Sequence, residues 1–335
     1  MKCLVLDFGG TALKYCLMDE NAVIENQGQV PPPLSSPEQY GDAVAELHER
    51  FKDEVEGIAI SMPGQIDPEN GFAFSGGAYL KVYGMNLFDI IRERIPHVKL
   101  AIENDGRCGA LAEVWKGALK DCRDAVAVIL GTGVGGGIIK DRRAHRGKVF
   151  CAGELSALLV GMGDYSMSNM LFSHCGMLGL LGKVMVAKNV DPASQDNPEF
   201  LGLLAAFGLP GANTESREDM LKVNVDGIQF FKWLEEGDPA VTAIYQQFIQ
   251  GLAMLAINLE MFFDPDRIVF GGGLSRKPRL VPDIRAEMDK FFKGSSAAWL
   301  GNRDVEIAPC EFLADANLVG AMYNYLIHHY PELAE

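Results

Sequence analysis

Positive charge is in short supply in this chain. Lys and Arg total 30 against 45 Asp and Glu, for a net charge of −15 at pH 7. Such a surface repels nucleic-acid phosphates and anionic lipid, which argues against a nucleic-acid or membrane-surface role. It leaves room for a local anion site built from backbone N–H groups, which net charge does not reveal. Paired cysteines are lacking too. Cys3, Cys16, Cys108, Cys122, Cys151, Cys175 and Cys310 stand singly with no C-x-x-C, so neither a disulfide framework nor a self-evident zinc site is indicated. No uninterrupted apolar run reaches the ~18 residues that span a bilayer. The opening MKCLVLDFGG turns glycine-rich where a signal peptide would continue its apolar core. Histidine is scarce, at six, and no two share an H-x-x-x-H spacing. Neither G-x-S-x-G nor G-x-x-x-x-G-K-[ST] occurs, which sets aside nucleophile-elbow and P-loop chemistry. A cytoplasmic, reduced, soluble protein with no nucleic-acid or membrane partner is expected.

What is present is an ordinary globular composition, 48% hydrophobic and 22% charged, over 335 residues. That length suggests about two domains. Short apolar runs ending in glycine or polar residues read as buried strands at 2–8, 57–64, 98–105, 267–273 and 305–310. Residues 12–27 read as a hairpin, and 125–140 as two strands joined by a glycine-rich turn. Helices are expected from Ser36-Pro37-Glu38 to about Lys52, over Arg107–Lys116, over 227–263, from near Ser275, and over about 314–329. Residues 141–190 carry no clear pattern. A strand followed by Gly-Gly-Thr near residue 8 is echoed by a strand followed by Gly-Thr-Gly near residue 131. Two similar α/β halves with a cleft between them would follow, with ligands beyond the carboxyl ends of the strands.

Gly131-Thr132-Gly133-Val134-Gly135-Gly136 matches G-x-G-x-x-G, but a dinucleotide site needs a helix directly afterwards. Here an apolar strand follows, so that reading fails. A tight glycine turn can still grip phosphate as a nest of N–H groups, and Gly9-Gly10-Thr11 offers the same, with Asp7 just before it as a candidate for the shell of a magnesium ion. The plainer explanation, that glycine merely permits the turns, stands beside this one. Gly271-Gly272-Gly273 forms a third glycine site, where a flat group such as a nucleobase could approach the backbone. The basic stretch 138–148 reads as a solvated hairpin tip.

Two carboxylates stand out. Asp105, in Glu103-Asn104-Asp105 at the end of a buried strand, could act as general base toward an alcohol with Asn104 orienting the acceptor; an ordinary helix cap explains the same residues. Glu154 lies in the apolar stretch KVFCAGELSA, where an ionised glutamate needs partners such as sugar hydroxyls.

Taken together, LDFGGTALK (6–14), ISMPGQID (60–67), IENDGRCGALAE (102–113), VILGTGVGGGII (128–139), CAGELS (151–156), DPDRIVFGGGLS (264–275) and DANLVGAMY (315–323) resemble, in order, the motifs of the ROK family of bacterial sugar kinases. The resemblance covers essentially the whole chain. It implies the α/β, two-lobed actin-like and hexokinase-like ATPase fold with a central cleft. A small lobe would span residues 1–117 with the closing helix at about 314–330, and a large lobe 118–313. It implies an ATP- and magnesium-dependent kinase acting on a primary hydroxyl, O6 of a hexose, amino sugar or β-glucoside, with Asp105 as catalytic base. Asp7, Gly9, Gly10, Thr11, Gly131, Thr132, Gly133, Gly135 and Gly271–Gly273 would hold the nucleotide. Gly64, Asn104, Asp105 and Glu154 would hold the sugar, and a homodimer is expected. The departures are Ala12 at a usual lysine, Ala157 at a histidine, and Ser173, Leu180 and Gly182 in the zinc segment, where Cys175 survives. They imply a zinc-lacking member with added volume at the anomeric end of the sugar, unless Ser156 or His174 refills it. The alternatives are a sugar-sensing regulator, against which stand the net charge and a first core strand beginning at Lys2, and a catalytically weakened sugar-binding protein.

Overall fold

A computed structural model of the chain describes residues 1–75, 77–212, 215–294 and 306–334. In chain order the strands are β1 (Lys2–Phe8), β2 (Leu13–Asp19), β3 (Ile24–Val30), β4 (Gly57–Met62), β5 (Ile66–Asp67), β6 (Phe72–Ala73), β7 (Met85–Asn86), β8 (Lys99–Asn104), β9 (Ala125–Leu130), β10 (Val134–Lys140), β11 (Arg143–Ala144), β12 (Arg267–Gly272) and β13 (Glu306–Pro309). The helices are α1 (Pro37–Phe51), α2 (Leu87–Arg92), α3 (Asp105–Lys116), α4 (Leu171–Cys175), α5 (Met177–Ala187), α6 (Pro198–Ala206), α7 (Gly227–Glu235), α8 (Pro239–Phe263), α9 (Leu280–Phe292) and α10 (Ala316–His329). They fall into two compact units. The first holds Met1–Ala127, Gly136–Gly153 and Cys310–Glu335; the second holds Val128–Gly135 and Glu154–Pro309.

The first unit is built on a five-stranded sheet of order β3-β2-β1-β4-β8. β1, β4 and β8 run parallel, and six of the seven residues of β1 and all six of β4 are buried. Strands covered on both faces carry continuous apolar runs, which is how KCLVLDF and GIAISM read. One face packs against α1 and α2 through Leu4, Leu6, Tyr40 and Ile91; the other packs Val5, Cys16 and Ala59 against Cys108 of α3 and Met322 of α10. α1 starts where Ser36 caps it and Pro37 takes its first turn. The small sheet β5-β6-β7 branches from the chain after β4. The other five-stranded sheet has order β11-β10-β9-β12-β13, with β12 and β13 parallel.

Two expectations need correction. The helix expected over 227–263 is two helices, because Gly237 (φ +77°), the capping Asp238 and Pro239 end one and start the next. The helix expected from near Ser275 begins later: Ser275 lies in a 3-10 turn, its Oγ donating to the Gly272 carbonyl, and α9 begins only at Leu280. The strand expected over 305–310 is observed from Glu306, Val305 lying outside the described residues. α8 is the one helix among the described residues long and apolar enough, by length and composition, to cross a membrane. Its row of Tyr245, Phe248, Leu252, Leu255 and Leu259 is buried, as in a core helix.

Helix α10 lies tightly on α3. A Cβ at Gly320 would stand 1.7 Å from the Cys108 carbonyl oxygen, whereas one at Gly202 in α6 would meet nothing within 4 Å. Gly320→Ala is therefore expected to destabilise the protein by about 1–3 kcal/mol through overpacking. Gly202→Ala should stabilise it by about 0.5–1 kcal/mol through reduced backbone entropy of the unfolded chain. Urea unfolding monitored by circular dichroism reads both signs.

Candidate active site

In the first unit the carboxyl ends of three adjacent parallel strands bring the expected polar residues together. The register sets Asp7 beside Ser61, Ser61 beside Glu103, and Met62 beside Asn104. Asp7 is buried, and its Oδ1 accepts from Ser61 Oγ at 2.8 Å and from Asn317 Nδ2 of α10 at 3.2 Å. Burial pushes its carboxyl above the usual value, while these two bonds and the charge of Lys14 pull it back. Lys14 faces Asp7 across the antiparallel pair β1/β2. The sequence reading passed over Lys14, Ser61 and Asn317; Lys14 lies two residues beyond the Ala12 position, inside β2.

Asn104 caps α3, accepting from Arg107 N at 3.2 Å, so the helix begins two residues before the expected Arg107. The same side chain donates Nδ2 to the Gly64 carbonyl and to Asp105 Oδ1, both at 3.0 Å. Capping and orientation are thus one arrangement here, not alternatives. Asp105 Oδ1 also accepts from Gly106 N at 2.8 Å. Burial raises the Asp105 carboxyl and the nearby Asp7 charge raises it further, against the lowering pull of Gly106 N–H and the Asn104 amide. Gly64 sits at φ +102°, where a Cβ would stand 2.3 Å from the Ser75 carbonyl oxygen; only glycine fits.

Beneath this group lies Glu103, with no exposed surface. It pairs with Arg146 (Nε–Oε2 2.7 Å) and, more loosely, with Arg107 (3.6 Å), and it accepts from Asn104 N at 2.8 Å. Arg107 also donates to the Phe150 and Ala152 carbonyls at 2.8 and 3.1 Å. The basic stretch 138–148 is accordingly more than a solvated tip, since Arg146 neutralises a buried carboxylate and Arg142 donates to the Lys120, Cys122 and Val114 carbonyls.

The first glycine loop is pinned by Gly9 N, which donates to the Asp7 and Ala12 carbonyls at 3.2 and 3.0 Å, and by Tyr79 Oη, which donates to the Gly9 carbonyl at 2.8 Å. Gly10 and Thr11 are exposed. In the second unit the hairpin loop is held by the start of α5: Met177 N and Leu178 N donate to the Gly131 and Thr132 carbonyls at 2.9 and 3.1 Å. Ser156 Oγ bonds both the N–H and the carbonyl of Val134 at 2.9 and 3.1 Å, so it is locked to the loop and does not refill a sugar pocket. A Cβ at Gly131 or Gly273 would meet nothing within 4 Å. No internal contact demands glycine at these two positions, which leaves room for a ligand against the backbone. At Gly272, by contrast, φ is +89° and a Cβ would lie 2.1 Å from the Leu130 carbonyl oxygen. A cavity of about 570 Å³ is lined by Gly131, Thr132, Gly227, Phe231, Gly273 and Lys277, so the second loop and the third glycine site border one space. Lys277 Nζ lies 4.5 Å from the centre of the Phe231 ring.

Glu154 is exposed, not enclosed by the apolar residues that flank it in sequence. One expectation about the sugar site is overturned. Gly182 does not open volume: a Cβ there would lie 2.4 Å from the Pro210 carbonyl oxygen and 2.8 Å from Leu204 Cδ2. Ala157 is exposed at the end of a 3-10 turn. His174 Nε2 bonds the Ser168 carbonyl at 3.1 Å, and Cys175 is buried with Sγ toward the Phe248 carbonyl of α8. Among the described residues no three His, Cys, Asp or Glu side chains gather as a metal group.

Two five-stranded sheets in an α/β chain, with a glycine loop after the first strand of each and buried carboxylates at the strand ends of the first, fit the actin-like and hexokinase-like fold. A ROK family protein from Streptococcus pneumoniae, solved with sucrose, superposes with a TM-score of 0.79 at 22% identity, covering 99% of this chain and 100% of that one. A ROK family glucokinase from Streptomyces griseus, solved with glucose and AMPPNP, gives 0.70 at 22% identity, covering 96% and 98%. The ROK family model matches residues 3–327, and the chain belongs to the ROK family. A β-glucoside kinase from Listeria monocytogenes is 28% identical over 332 residues, covering 97% of this chain and 98% of that protein.

Asp7 and Asp105 are held at some expense of stability. A carboxyl raised by folding takes up protons more readily in the folded than in the unfolded chain, so stability falls as pH rises above the ordinary aspartate value of 3.8. Asp7→Asn and Asp105→Asn should therefore melt higher than the unsubstituted, ligand-free protein at pH 7, with the advantage shrinking as pH falls toward 4. Calorimetry across that range checks it; variants melting lower at pH 7 would contradict the burial argument.

Proposed function

We infer that this chain is a sugar kinase that moves the γ-phosphoryl group of ATP onto a primary hydroxyl, O6 of a hexose or β-glucoside. The observation that carries the reading is the Asp105 carboxylate. It stands at the first turn of α3, with a raised proton affinity and with Oδ1 held by the Asn104 amide and Gly106 N–H. This carboxylate accepts the hydroxyl proton as the phosphoryl group transfers. Asn104 and the Gly64 carbonyl fix the carboxylate's direction, and Glu154 offers an acceptor to ring hydroxyls. The glycine turns at Gly9, Gly10 and Thr11, and at Gly131, Thr132, Gly133 and Gly135, are each of a kind that binds phosphate through backbone N–H groups. The cavity bordered by Gly273 and Phe231, beside Gly271 and Gly272 in sequence, suits a nucleobase.

Magnesium fits the donor set. Asp7 supplies hard oxygen, Oδ1 is steadied by Ser61 and Asn317, and a cation would relieve the burial that raises its carboxyl. When bound, the ion neutralises charge on the transferring phosphate. The β-glucoside preference is supported by the relative of that name, no longer by space at Gly182. A small lobe of residues 1–117 with the closing helix, a homodimer and a cytoplasmic location belong to the same reading.

A coupled assay over hexoses, amino sugars and β-glucosides tests the proposal. Asp105→Asn should retain nucleotide binding and lose at least ~10²-fold in kcat, the lower range for a general base, and EDTA should stop the reaction. An Asp105→Asn enzyme keeping more than half its turnover would remove the assignment. Sugar binding without any phosphoryl transfer by the unsubstituted protein would favour the regulator instead.

A further inference from the structure

We propose that Phe74 and Phe150 form a stacking platform for the aglycone ring of a β-glucoside, setting glycoside over free-sugar specificity. The inference rests on the sugar-kinase reading and adds a subsite to it. The two rings are stacked with centroids 5.7 Å apart and planes 24° apart, and Phe72 supports Phe74 edge-on at 4.9 Å. Yet Phe74 keeps 42% of its surface exposed, and Val149 beside Phe150 keeps 59%. Phe150 adopts φ +58°, a left-handed conformation that a bulky residue takes only when its surroundings impose it. A ring pair that merely filled the core would be covered, and it would need no such backbone.

The platform is tied to the sugar residues from both sides. Gln65, next to Gly64, accepts from Phe74 N at 2.8 Å through its carbonyl, and its side-chain amide donates to the Val149 carbonyl. Arg107, two residues beyond Asp105, holds the Phe150 carbonyl at 2.8 Å. Neither ring belongs to the polar cluster of Gly64, Asn104 and Asp105; both lie outside it, one hydrogen-bonded link away. The polar cluster suits the hydroxyls of the phosphorylated ring. The aromatic faces suit what a free hexose lacks: a second ring with an apolar C–H or aryl face, its C–H edges polarised toward the electron-rich π surface.

Titration calorimetry with glucose, cellobiose and phenyl β-glucoside, together with kcat/KM for each, tests this on the full chain. Phe74→Ala should weaken both glycosides by about tenfold, the upper range for loss of one stacked ring, and change glucose less than twofold. Phe74→Leu, which keeps apolar volume, should lose most of the preference for phenyl β-glucoside while unfolding at the same urea concentration. The platform is overturned if the unsubstituted protein binds the glycosides no more tightly than glucose. It is also overturned if both variants leave glycoside binding unchanged, or if glucose weakens equally. Phe74-dependent glycoside binding with no phosphate transferred would sink the kinase reading and leave the platform standing.

Discussion

The buried pairing of Glu103 with Arg146 and Arg107 is the constraint on which the rest of the first unit turns. Glu103 is the penultimate residue of β8, Arg107 lies in the first turn of α3, and Arg146 belongs to the segment after β11. Arg146 also donates to Asn324 Oδ1 of α10, and Asn324 donates in turn to the Ile102 carbonyl. Three stretches distant in sequence, residues 102–107, Arg146 and Asn324, are thus tied together around one carboxylate. Stripping a partner from such a pair typically costs 3–5 kcal/mol, because the remaining charge stays buried. The same carboxylate accepts from Asn104 N, so the ion pair sets the backbone from which Asn104 and Asp105 project. The site's geometry is inherited from a charge that never meets substrate.

Above that anchor the structure tolerates arrangements that a purely structural protein would avoid. Asp7 and Asp105 are two acids in one buried region, each raised by burial, and Asp105 raised further by Asp7. The glycines divide in the same way. Gly64, Gly106 and Gly272 are required by backbone close by, including the Gly136 N that a Cβ on Gly106 would approach to 2.8 Å. Gly131 and Gly273 have no such neighbour, and both face the same cavity. Internal packing explains the first set and leaves the second to a ligand. Destabilised acids and unneeded glycines at strand ends are signs of a site.

Much of this was legible in the sequence because buried parallel strands announce themselves as apolar runs, and their ends as glycine or polar residues. Asp7, Asn104, Asp105 and both glycine loops were found that way. The rest depended on partners remote in sequence. Ser61 matters because β1 and β4 are in register, and Asn317 because α10 returns to β1 some three hundred residues later. Glu154 is exposed although its neighbours in sequence are apolar. Gly182 misled because a missing side chain suggests volume only until the Pro210 carbonyl is found in it. Residues 141–190 showed no period because the chain there is mostly short turns, an isolated bridge between Leu159 and Met170, and two helices broken at Gly176.

The register also bears on the departure at Ala12. Taken as a motif, the first glycine loop has lost its usual cation. Taken as a strand, it has moved the cation two residues along. Ala12 stands just ahead of β2, and the antiparallel pairing places Lys14, two residues on, directly opposite Asp7. Its charge already acts on that carboxylate, lowering the proton affinity that burial raises. A lysine at the end of the loop and one on the strand opposite both bring positive charge to the place where β1 ends. The loss of a motif letter is therefore weaker ground for a disabled enzyme than it looks in one dimension, because the sheet, not the string, decides which charges meet.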